Sequence, residues 1–177
     1  MERASQRMLF TLGGLVLMVP GAGCWTWELP QTLLGAMLYA VQHMRGRMYA
    51  VERTRDGRCL VETTGIGISL GGYVYWSRKD AFGNPFDVRL IRAHELGHTV
   101  QSRALGWLYL PTVGVASGSR ALFSMSYFKR YGRPWGRYFD AWPESAADAH
   151  GGIVRNAAGR RELPPGGSPL DPHPPVD

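Results

Sequence analysis

Asp87-Val88-Arg89-Leu90-Ile91-Arg92-Ala93-His94-Glu95-Leu96-Gly97-His98-Thr99-Val100-Gln101-Ser102-Arg103-Ala104-Leu105 is the stretch around which the rest of the chain is read. Leu90, Ile91, Leu96 and Val100 recur at helical intervals among Arg89, Arg92, Gln101 and Arg103, which predicts an amphipathic helix. Asn84-Pro85 breaks the chain just before it, and Asp87 is the residue type that caps a helix N-terminus. Within that helix His94 and His98 stand four apart, one above the other on the same face, so two imidazole nitrogens can reach one tetrahedral Zn²⁺ ion. Glu95 is about 100° round from His94, placed to take a proton from a water polarised by the ion without itself being a ligand.

The residue types follow from that chemistry. Neutral imidazoles leave zinc strongly Lewis acidic, and a carboxylate accepts the proton as water attacks a carbonyl, which is the logic of the H-E-x-x-H motif. Two histidines leave the ion short of protein ligands. Downstream, Trp142-Pro143-Glu144-Ser145-Ala146-Ala147-Asp148 supplies candidates: Pro143 suits the first turn of a helix that Gly151-Gly152 ends, and Glu144 and Asp148 share a face at i and i+4. Asp140 is an alternative ligand to Glu144, and His150 is a candidate proton donor. Tyr127, Tyr131 and Tyr138 are candidates to polarise a substrate carbonyl, or else packing groups.

The pairing of H-E-x-x-H with a downstream E-x-x-x-D resembles the gluzincin zinc metallopeptidases. That resemblance implies that Glu144 completes the metal site and that Asp148 accepts the second ring N–H of a zinc histidine. Arg92 departs from the extended motif, which usually has an uncharged residue two before the first histidine. His94–Ser102 running into Leu105-Gly106-Trp107-Leu108-Tyr109-Leu110 also resembles a group of small, largely uncharacterised bacterial membrane-associated proteins, with H-E-x-G-H-x-x-Q-S, L-G-x-L-Y-L and a distant Trp-x-Glu-x-x-Ala-Asp matched by Trp142, Glu144, Ala147 and Asp148. The resemblance spans about residues 66–152 and extends to segments at the ends of some large bacterial toxin-like proteins. In gluzincins an edge strand beside the active-site helix holds an extended substrate through main-chain hydrogen bonds. Gly67–Tyr75 is the matching stretch here, with Gly67, Ser69 and Gly71 as candidate substrate-binding residues and an internal strand as the alternative.

Upstream of the motif helix the pattern is β. Met48–Arg53 and Arg58–Thr63 flank Asp56-Gly57, a two-residue hairpin signal, and Ile66–Trp76 is a third β-rich stretch in which Gly71-Gly72 marks a bulge or a close backbone approach. The expectation is an α+β fold: an N-terminal apolar helical hairpin, a small antiparallel sheet of about three strands, the H-E-x-x-H helix and the E-x-x-x-D helix. Residues 45–155 form the catalytic unit, and the Pro/Gly-rich stretch 156–177 reads as a disordered tail.

The chain has 177 residues, 20 basic against 14 acidic, with a formal net charge of +6. Its two cysteines, Cys24 and Cys59, build neither a disulfide framework nor a C-x-x-C site. The charge is uneven, +3 over 45–58 and +4 over 111–140, each beside apolar sequence, which favours anionic lipid over a nucleic-acid groove. No nucleic-acid motif accompanies the charge. Met8–Gly23 and Leu29–Met44 form two apolar arms of about sixteen residues, or about 24 Å each as helices, turning around Trp25 and Trp27. With arginines at both open ends they suit a hairpin on or in the inner membrane of a bacterium, the catalytic domain facing the cytoplasm. A cleaved signal segment with a lipid anchor at Cys24, and two core helices of a soluble protein, are the other readings. Residues 104–128, interrupted by Pro111, Gly114 and Gly118, read as too broken for a spanning helix. The expected activity is a membrane-associated zinc metallopeptidase acting on peptide or protein substrates. The alternative is a non-catalytic adaptor or assembly factor in which zinc ties two helices together.

Overall fold

The computed structural model describes residues 22–80, 83–85 and 87–171. The first apolar arm lies almost wholly outside them. The fold is α+β, with a small mixed sheet and four α-helices among the described residues: α1 (Leu29–Met44), α2 (Val88–Leu105), α3 (Val115–Tyr131) and α4 (Glu144–Gly151). The sheet comprises β1 (Met48–Arg53), β2 (Cys59–Thr63), β3 (Ile68–Leu70) and β4 (Tyr73–Ser77), in the order β1-β2-β4-β3.

Strand alternation assigns one layer of helix to each face. Cys59, Val61, Tyr73 and Tyr75 pack with Tyr39, Ala36 and Leu38 of α1. Leu60, Val74 and Trp76, one residue out of phase, pack with Val88 and Ile91 at the start of α2.

The sheet is mixed, not antiparallel. The β-rich stretch 66–76 divides at Gly71-Gly72 into two strands joined by a two-residue turn, with Leu70 opposite Tyr73. Gly71 has φ +57°, the positive value that the first position of a type II′ turn demands. Because β3 folds back antiparallel on the outer edge of β4, β4 runs the same way as β2 and pairs with it in parallel, from Cys59↔Tyr73 to Thr63↔Ser77. The β1–β2 turn is longer than two residues, because Arg53 pairs with Cys59 and the Thr54 N–H donates to Arg58 O.

The expected apolar hairpin is unsupported. No helix among the described residues is long and apolar enough to cross a membrane. Instead α1 is a packing layer whose buried face is mainly small and polar. The Thr32 hydroxyl accepts from Gly72 N–H, Gly35 O accepts from the Tyr75 hydroxyl, and the Gln31 amide donates to Ser102 Oγ and Gly106 O. Leu33, Leu34 and Met37 face out, Met37 at 65% exposure.

Residues 110–131 are helical throughout. A π-helical turn, Leu110–Gly114, takes Pro111 in its first residues, where no backbone donor is needed, and runs directly into α3. The C-terminal stretch is packed as far as Asp171. β5 (Val154–Arg155) and β6 (Arg161–Glu162) form a short hairpin. Beyond it, Asp171 accepts two hydrogen bonds from the buried Arg92, at 2.7 and 2.9 Å. Composition alone suggested a disordered tail over 156–177, of which 172–177 lies outside the described residues; an unpaired buried guanidinium is costly, and the Asp171 side-chain carboxylate satisfies that of Arg92.

Candidate metal centre

Asp87 caps α2 as expected, its carboxylate accepting from the Arg89 and Leu90 N–H groups at 3.0 and 3.2 Å. The helix is thereby fixed in phase, with His94, Glu95 and His98 all buried. α4 starts after Pro143 and crosses α2 at two glycines. A β-carbon on Gly97 would lie 1.9 Å from Ala147 O, and one on Gly151 would lie 2.2 Å from Ala93 O. Only hydrogen at both positions permits this approach, and the approach delivers Glu144 and Asp148 to the histidines.

His94, His98 and Glu144 come together as a buried group whose ligand atoms all lie within 4.8 Å of one another, able to hold a metal ion. Glu144 Oε2 is 3.0 Å from His94 Nε2 and 3.4 Å from His98 Nε2. For bonds of 2.0–2.1 Å the edge of a tetrahedron is about 3.3–3.4 Å, so the spacing suits a small cation.

The tautomers follow from the partners. Pro143 O only accepts, so the amide nitrogen of Gln101 faces it at 2.9 Å, and the Gln101 oxygen must face His98 Nδ1, at 2.7 Å. His98 therefore carries its proton on Nδ1 and turns a lone pair on Nε2 towards Glu144. Asp148 Oδ1 is 2.8 Å from His94 Nδ1 and imposes the same tautomer there. Two imidazole nitrogens and a carboxylate converge, an arrangement that a cation held between them makes favourable. Charge says the same: of Glu95, Glu144 and Asp148, Asp148 is neutralised by Arg161, with contacts of 2.7 and 2.6 Å, while the other two match a dication. Glu144 Oε1, the oxygen not turned to the histidines, is buried without a hydrogen-bond partner, so neither oxygen of this carboxylate is committed to a group outside the site.

The metal-free protonation states reflect the same field. Burial opposes charge on His94, but the Asp148 and Glu144 carboxylates outweigh it and lift its pKa to about 9. Burial also acts to raise Glu144, yet the His94 and His98 hydrogen bonds prevail and hold its carboxyl well below the usual range. Burial pushes Glu95 up from its ordinary value against the pull of both histidines.

Glu95 stands outside the ligand group. Its Oε2 accepts from the Ser69 hydroxyl at 3.1 Å, and that hydroxyl also reaches Glu95 O at 2.5 Å. A β-carbon on Gly67 would sit 2.7 Å from Glu95 Oε1, so the β3 side of the sheet lies directly against the carboxylate. Of the three substrate-binding candidates, Gly67 lines the cavity at the site, and Ser69 is buried and turned to Glu95. Gly71 packs against Thr32 of α1, where the tight β3–β4 turn carries it, and does not line that cavity. β3 is an edge strand, but β4, the second half of the stretch read as a substrate edge, is internal.

Asp140 is exposed and paired with Arg155 at 2.8 Å, and His150 is exposed; neither belongs to the ligand group. Of the three tyrosines only Tyr138 lines the cavity. Sequence reading missed Gln101 and Arg161 as the partners that orient the site, and Gly97 and Gly151 as the contact that assembles it. The Q-S that follows H-E-x-G-H was the one signal for Gln101. Arg92, the departure from the extended motif, is buried between Asp171 and Glu52 and stacks on Trp76, with 5.1 Å to the ring centroid.

A cavity of about 320 Å³ opens onto His94 and Glu95 beneath α3 and residues 134–139. A larger depression of about 820 Å³, over the ends of β1 and β2, includes none of the site residues. The chain matches no protein-family model, no curated protein and no solved structure.

Proposed function

We propose that the protein is a membrane-associated zinc metallopeptidase of gluzincin type. The observation that carries this reading is the convergence of His94, His98 and Glu144 beside an aromatic-lined cavity, with Glu95 at the same opening but outside the ligand set. Three protein ligands, with no fourth in the group among the described residues, is the catalytic pattern; a purely structural zinc is closed by four. Bound zinc supplies the Lewis acidity that polarises the scissile carbonyl and lowers the pKa of water.

The chain's own residues do the rest. Glu95, its carboxylate steadied by Ser69, takes the proton from the attacking water and returns it to the departing amine nitrogen. Asp148 and Gln101 hold the two imidazoles with Nε2 towards the ion. Burial at the site, where Glu95 and Glu144 are 4% and 0% exposed, keeps bulk water from competing.

Attachment to a membrane surface is supported by apolar groups that the fold leaves outside. Leu33, Leu34 and Met37 on α1 are exposed, as are Leu122 and Phe123 on α3. Trp27 and Trp107 share an exposed corner, where the Trp107 indole donates to Thr26 O. Amphipathic rings beside basic sequence suit a headgroup layer. The alternative anchor at Cys24 has against it that this side chain is buried.

The test is stoichiometric metal in the purified protein and its loss in His98→Ala. Glu95→Gln should keep zinc and lose peptide hydrolysis. A wild type that binds no zinc sinks the proposal, and an active Glu95→Gln removes the assigned base. Fractionation with protease protection reports the membrane and the side that the catalytic domain faces.

A further inference from the structure

The helix α1 is inside out. Its inner face carries Gln31, Thr32, Gly35, Tyr39 and Gln42, while Leu33, Leu34, Met37, Ala40 and Met44 are exposed, Met44 at 77%. The outward side chains recur at i, i+1, i+4, i+7 and i+11, a single stripe running about 16 Å along the helix. An amphipathic helix on a protein that meets only water has the opposite arrangement, and Leu29–Met44 contains no Asp, Glu, Lys or Arg at all.

The two ends of the stripe differ. At the first turn the Gln31 amide donates to Gly106 O at 2.8 Å, which brings Trp107 and Leu108 beside Trp27, all three more than half exposed. Both exposed indoles already have partners inside the protein, Trp27 donating to Arg103 O at 2.8 Å and Trp107 to Thr26 O at 3.0 Å. Their outer ring edges can therefore leave water without stripping a donor. Glu28, the sole carboxylate between residues 22 and 51, is 3% exposed and paired with Arg58. Past the last turn Arg45 and Arg47 are exposed, so the charge that the stripe's surroundings show is positive. A protein interface carries about one hydrogen bond per 100–200 Å², and a stripe without a polar side chain offers a protein partner nothing to fix one orientation. A fluid apolar phase with an anionic boundary asks for none.

We propose that α1 lies flat on an anionic bilayer, with the Leu33–Met44 stripe and the Trp27–Trp107 corner in the acyl boundary and Arg45 and Arg47 on the lipid phosphates. This rests on the membrane-associated reading above and names the face, the orientation and the lipid charge. A free interfacial helix turns its polar side to water. Here the sheet and the end of α2 stand where that water would be, and only the apolar side is left for lipid.

The experiment uses the zinc-loaded full chain carrying a nitroxide on Met37→Cys or, as a control, on Ala158→Cys in the exposed β5–β6 turn; Cys24 and Cys59 are buried. Vesicles are of phosphatidylcholine alone or of equal parts phosphatidylcholine and phosphatidylglycerol. On the mixed vesicles the label at 37 should gain collisions with oxygen and lose them with a water-soluble nickel chelate, while the label at 158 stays aqueous. Binding should be at least about tenfold tighter to the mixed vesicles, and the double variant Arg45→Gln, Arg47→Gln should lose most of that margin. Leu33→Glu and Met37→Glu, with wild-type zinc content and circular dichroism, should each bind at least about tenfold more weakly. A bound protein whose label at 37 stays aqueous, or undiminished binding by Leu33→Glu, overturns the face and leaves the membrane reading. A label at 37 shielded from both reagents before vesicles are added means that residues 1–21 or a second copy cover the stripe, and overturns the proposal. Equal binding to the two vesicles overturns the lipid charge. Binding to neither overturns the docking and the membrane-associated reading together, while zinc content and peptide hydrolysis of the same preparation report the peptidase separately.

Discussion

Gln101 bridges the two helices of the candidate metal centre through one amide: its oxygen lies 2.7 Å from His98 Nδ1 and its nitrogen 2.9 Å from Pro143 O, the residue before Glu144. One side chain thus sets the tautomer of one ligand and the position of another. Removing such a partner typically costs 10–100-fold in metal affinity. Gln101→Ala should therefore weaken zinc binding by about that factor, measured by competition with a chelator, with helical content unchanged. Gln101→Glu keeps the acceptor for His98 and should bind zinc more tightly than Gln101→Ala. Wild-type affinity in Gln101→Ala would show that His98 needs no orienting partner.

The contact between α2 and α4 is set by atoms that are absent. A methyl on Gly97 would overlap Ala147 O, so Gly97→Ala must push α4 outward, at a cost of about 1–3 kcal/mol for overpacking, and carry Glu144 away from the histidines. Gly118, with open space around its Cα, is the control. Gly118→Ala should be neutral or stabilise the helix by up to about 1 kcal/mol. Denaturant melts and zinc content of the two variants check this; a fully zinc-loaded Gly97→Ala of wild-type stability would refute it.

Asp171 is the partner of an arginine that is 1% exposed. Asp171→Ala removes the buried carboxylate that pairs with the Arg92 guanidinium and should destabilise the protein by about 3 kcal/mol. Truncation after residue 163 removes the same carboxylate and should give a similar loss. A truncated chain as stable as the full one would mean that residues 164–177 contribute nothing to the fold.

Burial pushes the thiols of Cys24 and Cys59 each up to about 11. The thiolate is the reactive form, so both should resist alkylation at pH 8 in the folded protein and react together on unfolding. The sign for stability follows. An unfolded thiol ionises near pH 9, earlier than the folded one, so this contribution is complete below that pH and is lost between about 9 and 11. Two equivalents of rapid labelling at pH 8 without denaturant would contradict the burial.

Much of the centre was legible because its rules are local. The 3.6-residue period puts His94 over His98 and Glu144 over Asp148, and Asp87, Pro143 and Gly151-Gly152 bound the two helices. The same period was less informative at α1. Its apolar residues fit lipid and core alike, and the buried face is Gln31, Thr32, Gly35, Tyr39 and Gln42, whose polar groups meet the β3–β4 turn and the end of α2. Composition misled at the C-terminus, since a few specific contacts, Arg92 with Asp171 and Arg161 with Asp148, outweigh a Pro/Gly-rich average.

By itself, then, the sequence determined the helices, their phase and which side chains share a face, since these depend on neighbours within about four residues. Tertiary structure alone decided that β4 runs parallel to β2, that α4 meets α2 at Gly97 and Gly151, and that Gln101 and Arg161 set the histidines. Apart from Gln101 on His98, three residues away, those outcomes depend on groups 13 to 58 residues apart along the chain, from Arg161 on Asp148 to Gly151 on Ala93, and on how closely two backbones can approach, which no local pattern records.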